Sequence, residues 1–218
     1  MVTVDIKCYI RLLFRRYQRI TDKGAFIIMA ATEPIRDKKE LRQLAEHFLK
    51  RGQFRNYAFV VLGACTALRT SDLLRLTWHD VYDEEHGRFR MHITLSERKT
   101  GKTKTIALNK QVLHALRLYL PYRRSNFIFA SNRKEDMPIS RVQAWRIIHA
   151  AVVAVGIMGK ISCYSLRKSW GYHAWIGGDI SPVVIMDVFN HSNYEITKRY
   201  LGVAQDDLDR AYLGVELF

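Results

Sequence analysis

Tyr200 lies nine positions after His191, in the run Asn190-His191-Ser192-Asn193-Tyr194-Glu195-Ile196-Thr197-Lys198-Arg199-Tyr200-Leu201-Gly202. A phenol beside an imidazole and cations is a nucleophile that can hold a phosphoryl group covalently. A tyrosine in a helix is more often a packing residue, so that chemistry must be completed from elsewhere in the chain. Arg69 is one candidate: it emerges from the apolar run 57–67, and a buried guanidinium requires a carboxylate or a phosphate. Asp72 is the local carboxylate, and a plain Arg69–Asp72 pair is the simpler alternative. Arg167 and Lys168 are further candidates, within Cys163-Tyr164-Ser165-Leu166-Arg167-Lys168-Ser169-Trp170. With Ser165 as a helix cap, both cations fall in a first turn and oppose the helix dipole unless an anion binds nearby. Such a local conflict is expected where a sequence serves function.

The elements that must position these residues follow from periodicity. Asp37 and Glu40 have capping-box spacing before Leu41, Leu44, Ala45, Phe48 and Leu49, one face of a helix that stops near Gly52. The run 57–67 reads as a buried helix. Thr70 or Ser71 caps the next one, which places Arg69 at the corner between them. From Phe89 the period changes to two, through Met91, Ile93 and Leu95, and alternation resumes at Ile106 and Leu108. That is a β-hairpin with the basic tip Glu97-Arg98-Lys99-Thr100-Gly101-Lys102, either a solvated turn or one that reaches into a DNA groove. A helix over 112–120 ends at Pro121. Ser140 caps another with Val142, Trp145, Ile148 and Val152 inward. Ser181-Pro182 opens a helix with Ile185, Met186 and Phe189 inward, and Ser192 with Glu195 caps the helix that carries Tyr200. The tail continues with helical spacing at Leu208, Ala211, Tyr212 and Leu213, to fold back or to dock on a neighbour.

A chain of 218 residues with 48% hydrophobic content can bury a real core and form one large domain or two small ones. Its net charge of +14 favours a polyanionic partner, nucleic acid or an acidic membrane surface. The three cysteines, Cys8, Cys65 and Cys163, have no metal-ligand spacing. Cys65 and Cys163 read as inert core thiols, which fits a reducing cytoplasm. No stretch reaches the roughly 18 apolar residues of a membrane span, and the apolar segment 25–31 is too short, with too long a basic lead, for a signal peptide. The chain is read as soluble. It shows no Gly-rich phosphate loop, no histidine metal pattern and no carboxylate cluster of the kind magnesium nucleases use, so no cofactor is expected. Residues 1–31 are unlike the rest: Ile6, Ile10, Leu13 and Phe14 form a stripe among arginines. Three readings stand for them: a basic arm on DNA, the remnant of a lost domain, or translation upstream of a start at Met29.

Taken in order, these motifs resemble the tyrosine recombinase (phage-integrase type) catalytic domain, from about residue 32 to 212. The stretch from Ala67 to Leu76 is similar to the family's first arginine box, with Asp72 at its acidic position. Lys99 matches the hairpin lysine, and Leu166-Arg167 the second arginine box. Asn190-His191-Ser192 looks like the box usually read Gly-His-Ser, with Tyr200 at the family's spacing after it. The resemblance implies a mainly α fold with a small antiparallel β-hairpin, the DNA breaking-rejoining enzyme fold. It also implies a division into an N-terminal arm or remnant, 1–31, and a catalytic domain with a tail helix, 32–218. The N-terminal core-binding domain of longer relatives is expected to be missing, as in short recombinases such as the fimbrial-switch invertases or in an abbreviated mobile-element integrase.

The implied roles follow residue by residue. Arg69 and Arg167 grip the scissile phosphate, Tyr200 attacks it to leave a 3′-phosphotyrosine, His191 hydrogen-bonds it, and Lys99 protonates the departing 5′-oxygen. Asp72 orients Arg69. Two positions depart from the pattern: Tyr164 stands where the family has histidine, and Lys168 where histidine is frequent. A phenol donates a hydrogen bond, but its pKa near 10 makes it a poorer proton shuttle than imidazole. The implied partner is double-stranded DNA, bound as a tetramer by a protein that is monomeric when free, with DNA-bending accessory proteins and no membrane. The implied setting is the bacterial cytoplasm and nucleoid, and the reaction is integration, excision or inversion without metal or ATP. The rival readings are a catalytically weakened DNA-binding regulator that kept the fold, and a type IB topoisomerase-like nicking enzyme.

Overall fold

Asp37 starts the first helix: its side chain accepts from the Lys39 N–H at 2.7 Å, and α1 (Lys38–Leu49) buries Leu44 and Phe48. The structure is a computed structural model that describes residues 32–96, 101, 103–133, 136–203, 207, 209 and 212–215. The segment 1–31 and the tip residues 97–100, Lys99 among them, lie outside the described residues. So do Leu208 and Ala211 of the tail.

α2 (Phe54–Cys65) is apolar almost all round, and it buries Ala58, Phe59, Val60, Leu62 and Gly63. It therefore sits centrally, packed by α1, by α5 (Lys110–Tyr119) and by α7 (Cys163–Ile176). At Gly63 even a methyl would crowd Leu166 of α7, so the glycine sets how closely those two helices approach. α6 (Arg141–Val155) begins where Ser140 Oγ accepts from the Gln143 N–H at 3.1 Å and packs on α1 and α7. Its inward face is Ala144, Ile148, Ala151 and Val152. Val142, expected inward, is exposed, because two residues are about 200° of helix rotation from Ala144.

Between α2 and α5 lie two single-turn helices, α3 (Thr70–Leu73) and α4 (Trp78–Val81), and two hairpins. β1 (Tyr82–Asp83) pairs with β2 (Arg88–Phe89), and β3 (His92–Ser96) pairs antiparallel with β4 (Thr103–Ala107), Ile93 opposite Ile106. The alternation from Phe89 to Leu95 was expected to form one strand. The chain instead turns at Arg90, whose N–H donates to Val81 O at 2.8 Å and whose Nε donates to His79 O at 3.0 Å. Met91 is consequently exposed.

Two caps differ from expectation. α7 starts at Ser162, whose Oγ accepts from Tyr164 N–H at 3.2 Å, while Ser165 Oγ accepts from Ser162 N–H at 3.0 Å. Ser165 is thus the inner partner of a capping box, and Arg167 and Lys168 move to the second turn, where the dipole opposes them less. After α8 (Pro182–Phe189), α9 (Tyr194–Leu201) is capped by Asn193, whose Oδ1 accepts from Ile196 N–H at 3.0 Å, rather than by Ser192.

The large core lies among α1, α2, α5, α6 and α7. A second, small cluster of Ala67, Ile185, Phe189 and Leu201 holds α8 and α9. At Gly171 of α7, a methyl would overlap both Phe189 and Leu201, so the absent side chain is what lets α8 and α9 seat on α7. Cys65 and Cys163 are free, and burial pushes the Cys163 thiol up to about 12. Among the described residues no helix is long and apolar enough to cross a membrane.

Candidate active site

The site is built on the C-terminal end of α8. Asn190 ends that helix in the left-handed region, φ 53, where glycine or asparagine is tolerated best. The last carbonyls of a helix carry its partial negative charge, and three cations gather on them. Arg69 Nη2 donates to Phe189 O at 3.4 Å, and Arg167 Nη2 donates to the same oxygen at 3.3 Å. Lys104 of β4 donates to Val188 O.

Arg69 reaches this point because α2 ends abruptly. Ala67 takes φ 53, a conformation that costs a residue with a Cβ on the order of 1 kcal/mol or more. The strain turns the chain so that Arg69 stands at the N-cap of α3. It also presents the Ala67 carbonyl to Arg167 Nη1. Arg167 is buried, and its guanidinium lies 4.8 Å from the Phe189 ring centroid. Asp72 is buried in α3. Two guanidiniums on one oxygen make a concentrated positive centre of the kind that grips phosphate.

Tyr200 is set against this centre. Its ring centroid is 4.9 Å from that of Phe189 and 5.1 Å from that of His191. Lys168 Nζ stands 5.1 Å from the Tyr200 ring centroid. Burial pushes the Tyr200 phenol above its ordinary value, with Arg167 and Arg69 drawing it back and Tyr164 pushing it further up. His191 is oriented by Thr197: Nδ1 lies 3.0 Å from Thr197 Oγ1, and Thr197 is fully buried. Tyr164, in the first turn of α7, is half-buried, and burial raises its pKa while Arg141 and Arg167 oppose the rise. Burial lowers the pKa of Lys168, with the carboxylate of Glu33 opposing.

The structure thus brings together Arg69, Arg167, Lys168, His191 and Tyr200 around α8 and α9, with Tyr164 close to Arg167 and Tyr200. Lys99 is outside the described residues. Lys104 and Thr197 were not singled out from the sequence. Lys104 had a readable signal, since it shares the inward parity of Ile106 on β4; Thr197 had none. The β1–β2 turn also gathers Asp83, Glu85 and His86, with ligand atoms within 4.8 Å of one another. It is an exposed acidic turn apart from these elements.

The phage integrase family model matches residues 36–206. The chain belongs to the phage integrase family. The probable integrase/recombinase YoeC of Bacillus subtilis (strain 168) is 32% identical, over 84% of this chain and 97% of that protein. Among solved structures, XerA recombinase superposes with a TM-score of 0.68 at 21% identity, over 84% of this chain and 64% of that one. XerH recombinase, captured after cleavage on palindromic difH substrate, gives a TM-score of 0.66 at 15% identity, over 81% of this chain and 51% of that one. Family membership and fold together make the chain a tyrosine-type site-specific recombinase with a mainly helical catalytic domain and small antiparallel sheets. The chain spans nearly all of YoeC and about half to two thirds of the superposed structures.

Proposed function

We propose that this chain cleaves and rejoins double-stranded DNA through a 3′-phosphotyrosine at Tyr200. The observation that carries the reading is the convergence of Arg69 and Arg167 on one carbonyl, with the Tyr200 ring packed against the residues on either side of Asn190. A phosphate that replaces that carbonyl as acceptor receives two guanidiniums arranged in advance, the arrangement that stabilises charge developing in a transition state.

The step follows. The Tyr200 oxygen attacks phosphorus, the P–Oη bond forms as the P–O5′ bond breaks, and the phenolic proton passes to solvent water. Lys99 delivers a proton to the departing 5′-oxygen. His191, oriented by Thr197, and Tyr164, a protonated phenol at neutral pH, donate hydrogen bonds to the phosphate. Asp72 orients Arg69, and Lys168 covers the nucleophile's ring. The phosphotyrosine keeps the energy of the broken bond, so the 5′-hydroxyl of a second strand reverses the step without ATP.

In this reading residues 1–31 are a basic N-terminal arm or a remnant and 32–218 the catalytic domain with its tail helix. Four copies assemble on DNA, with bending proteins, in the bacterial cytoplasm at the nucleoid. DNA as the partner has the support of the XerH complex and of the net charge of +14. The test is a covalent-adduct assay with nicked DNA from the regions flanking the gene. Wild type and Tyr164→His are expected to form the adduct and Tyr200→Phe to form none. An adduct that persists in Tyr200→Phe overturns the assignment of the nucleophile. An adduct that appears only in Tyr164→His points instead to a decayed enzyme that serves as a DNA-binding regulator.

A further inference from the structure

Apart from the arginine–tyrosine cluster, one exposed side chain ties residues 33–36 to the helix that carries Tyr200. Ile35 is buried against α7, and both of its peptide groups are engaged. Its N–H donates to Ser169 Oγ at 2.8 Å, and its carbonyl oxygen lies 3.1 Å from His173 Nε2. This fixes the backbone immediately before Arg36, whose side chain runs to the end of α9. Arg36 Nη2 donates to the Gly202 carbonyl at 2.5 Å, and Nη1 lies 3.6 Å from Asp207 Oδ2. The guanidinium covers the Tyr172 ring at 5.2 Å from its centroid. Tyr172 in turn donates its hydroxyl to Asp207 Oδ1 at 3.2 Å. The Arg36 side chain is 42% exposed, whereas that of Asp207 is 1% exposed.

Gly202 is the C-cap of α9 and follows Tyr200 by two residues. α9 has eight residues, too few to hold a helix in water without packing and caps. Asn193 secures its first turn, and the small core secures Leu201. The carbonyl end is where a cation stabilises a helix. Arg36 supplies one from outside the helix, and its second nitrogen faces a buried carboxylate. The two segments are neighbours, since a Cβ at Gly202 would lie 3.6 Å from Pro34 Cδ, ordinary van der Waals contact.

We propose that Arg36 is a positioning residue for Tyr200: by bridging the Gly202 carbonyl and Asp207, it holds the last turn of α9 where the phenol meets the arginine pair. The inference rests on the reading of Tyr200 as the nucleophile. It concerns geometry, because Arg36 acts on the reaction only through the helix end.

The test compares full-length wild type, Arg36→Met and Arg36→Lys in two measurements: single-turnover adduct formation and equilibrium binding on the same nicked DNA, and amide hydrogen exchange over 194–202 in the free protein. Arg36→Met keeps an unbranched apolar stem and loses both donors to Gly202 and Asp207. It is expected to bind DNA as wild type does and to slow adduct formation by about tenfold to a hundredfold, the scale at which a misplacement near 1 Å acts. Exchange over α9 should quicken while α1 and α5 stay protected. Arg36→Lys should recover part of the rate, because an ammonium reaches the carbonyl but does not fork to Asp207 as well. Unchanged adduct formation in Arg36→Met overturns the proposal, as does faster exchange throughout the protein, which marks a general stabilising role. If wild type forms no adduct, the proposed reaction at Tyr200 falls, and the exchange comparison still decides whether Arg36 fixes α9.

Discussion

Tyr200 enters its site as a protonated phenol. Burial holds its pKa above the ordinary value near 10, and Arg167 and Arg69 pull the other way. The phenolate fraction therefore rises about tenfold per pH unit throughout the neutral range. Single-turnover adduct formation is expected to climb from pH 7 to pH 9, as quench-flow or gel quantification at each pH will read. Removing Arg167 removes a charge that lowers the phenol's pKa, so Arg167→Gln shifts the profile further towards alkaline pH. It also lowers the rate at every pH by about a hundredfold to a thousandfold, the loss typical of one preorganised donor to an oxyanion. A profile flat from pH 7 to pH 9 in the wild type would mean that the phenol is not what titrates. The same raised value has a sign for stability: the folded protein holds the phenol's proton more tightly than the unfolded chain does. That contribution is complete below the unfolded value near 10 and is lost as pH rises through the folded one. Tyr164 is a second residue-scale test. Its own pKa is raised by burial, so it donates a hydrogen bond but shuttles no proton near neutrality. Tyr164→His installs a group with an ordinary pKa near 6.5, and adduct formation at pH 7 is expected to quicken several-fold with DNA affinity unchanged.

The helices that present these side chains depend on one missing side chain. Gly171 leaves room for Phe189 and Leu201, through which α8 and α9 sit on α7. Gly171→Ala forces both apart in a packed region, a change that costs roughly 1–3 kcal/mol. Thermal unfolding should move down by a few degrees, and adduct formation should fall more than DNA affinity, because Phe189 packs against both the Arg167 guanidinium and the Tyr200 ring. An unchanged adduct rate in a destabilised Gly171→Ala protein would detach the site from that packing. Most of these elements were legible in the sequence, since α1, α2, α5 and α6 follow from apolar period and caps. The caps of α7 and α9 were misplaced for a physical reason: Ser162 and Ser165, or Ser192 and Asn193, have the same local chemistry, and tertiary packing decides which one caps. The hairpin was foreseen, but its first half was not separable from β2, because the turn at Arg90 rests on bonds to Val81 and His79 in another element. At the site, Arg69, Arg167, His191 and Tyr200 were readable as residue types. Their meeting point was not, because the acceptor is the main-chain carbonyl of Phe189, and a carbonyl has no signature in a sequence. Ala67 hid its role likewise, as nothing marks an alanine that must take φ 53.

At the scale of the whole chain, the net charge of +14 and the cationic site act on the same ligand in separable ways. In the proposed reaction Arg69 and Arg167 act on the scissile phosphate, so their loss is expected to show in the rate of adduct formation. The arginines spread along the sequence before residue 32, Arg11, Arg15, Arg16 and Arg19, have no role in the step as proposed. If they form an arm on the backbone, they act through counterion release, a term independent of sequence. The logarithm of DNA affinity then falls with the logarithm of salt concentration, with a slope near 0.9 per phosphate neutralised. Replacing all four with glutamine in the full-length chain is expected to flatten that slope by about two to four units. Affinity at low salt should fall accordingly, while adduct formation on saturating DNA stays as in wild type. Filter binding across a salt series gives the slope, and the adduct assay gives the rate. A slope that does not change would remove residues 1–31 from the DNA interface and assign the electrostatic attraction to residues 32–218. A slope that flattens together with a slowed step would mean instead that the arm helps to place the scissile phosphate, beyond holding the duplex near.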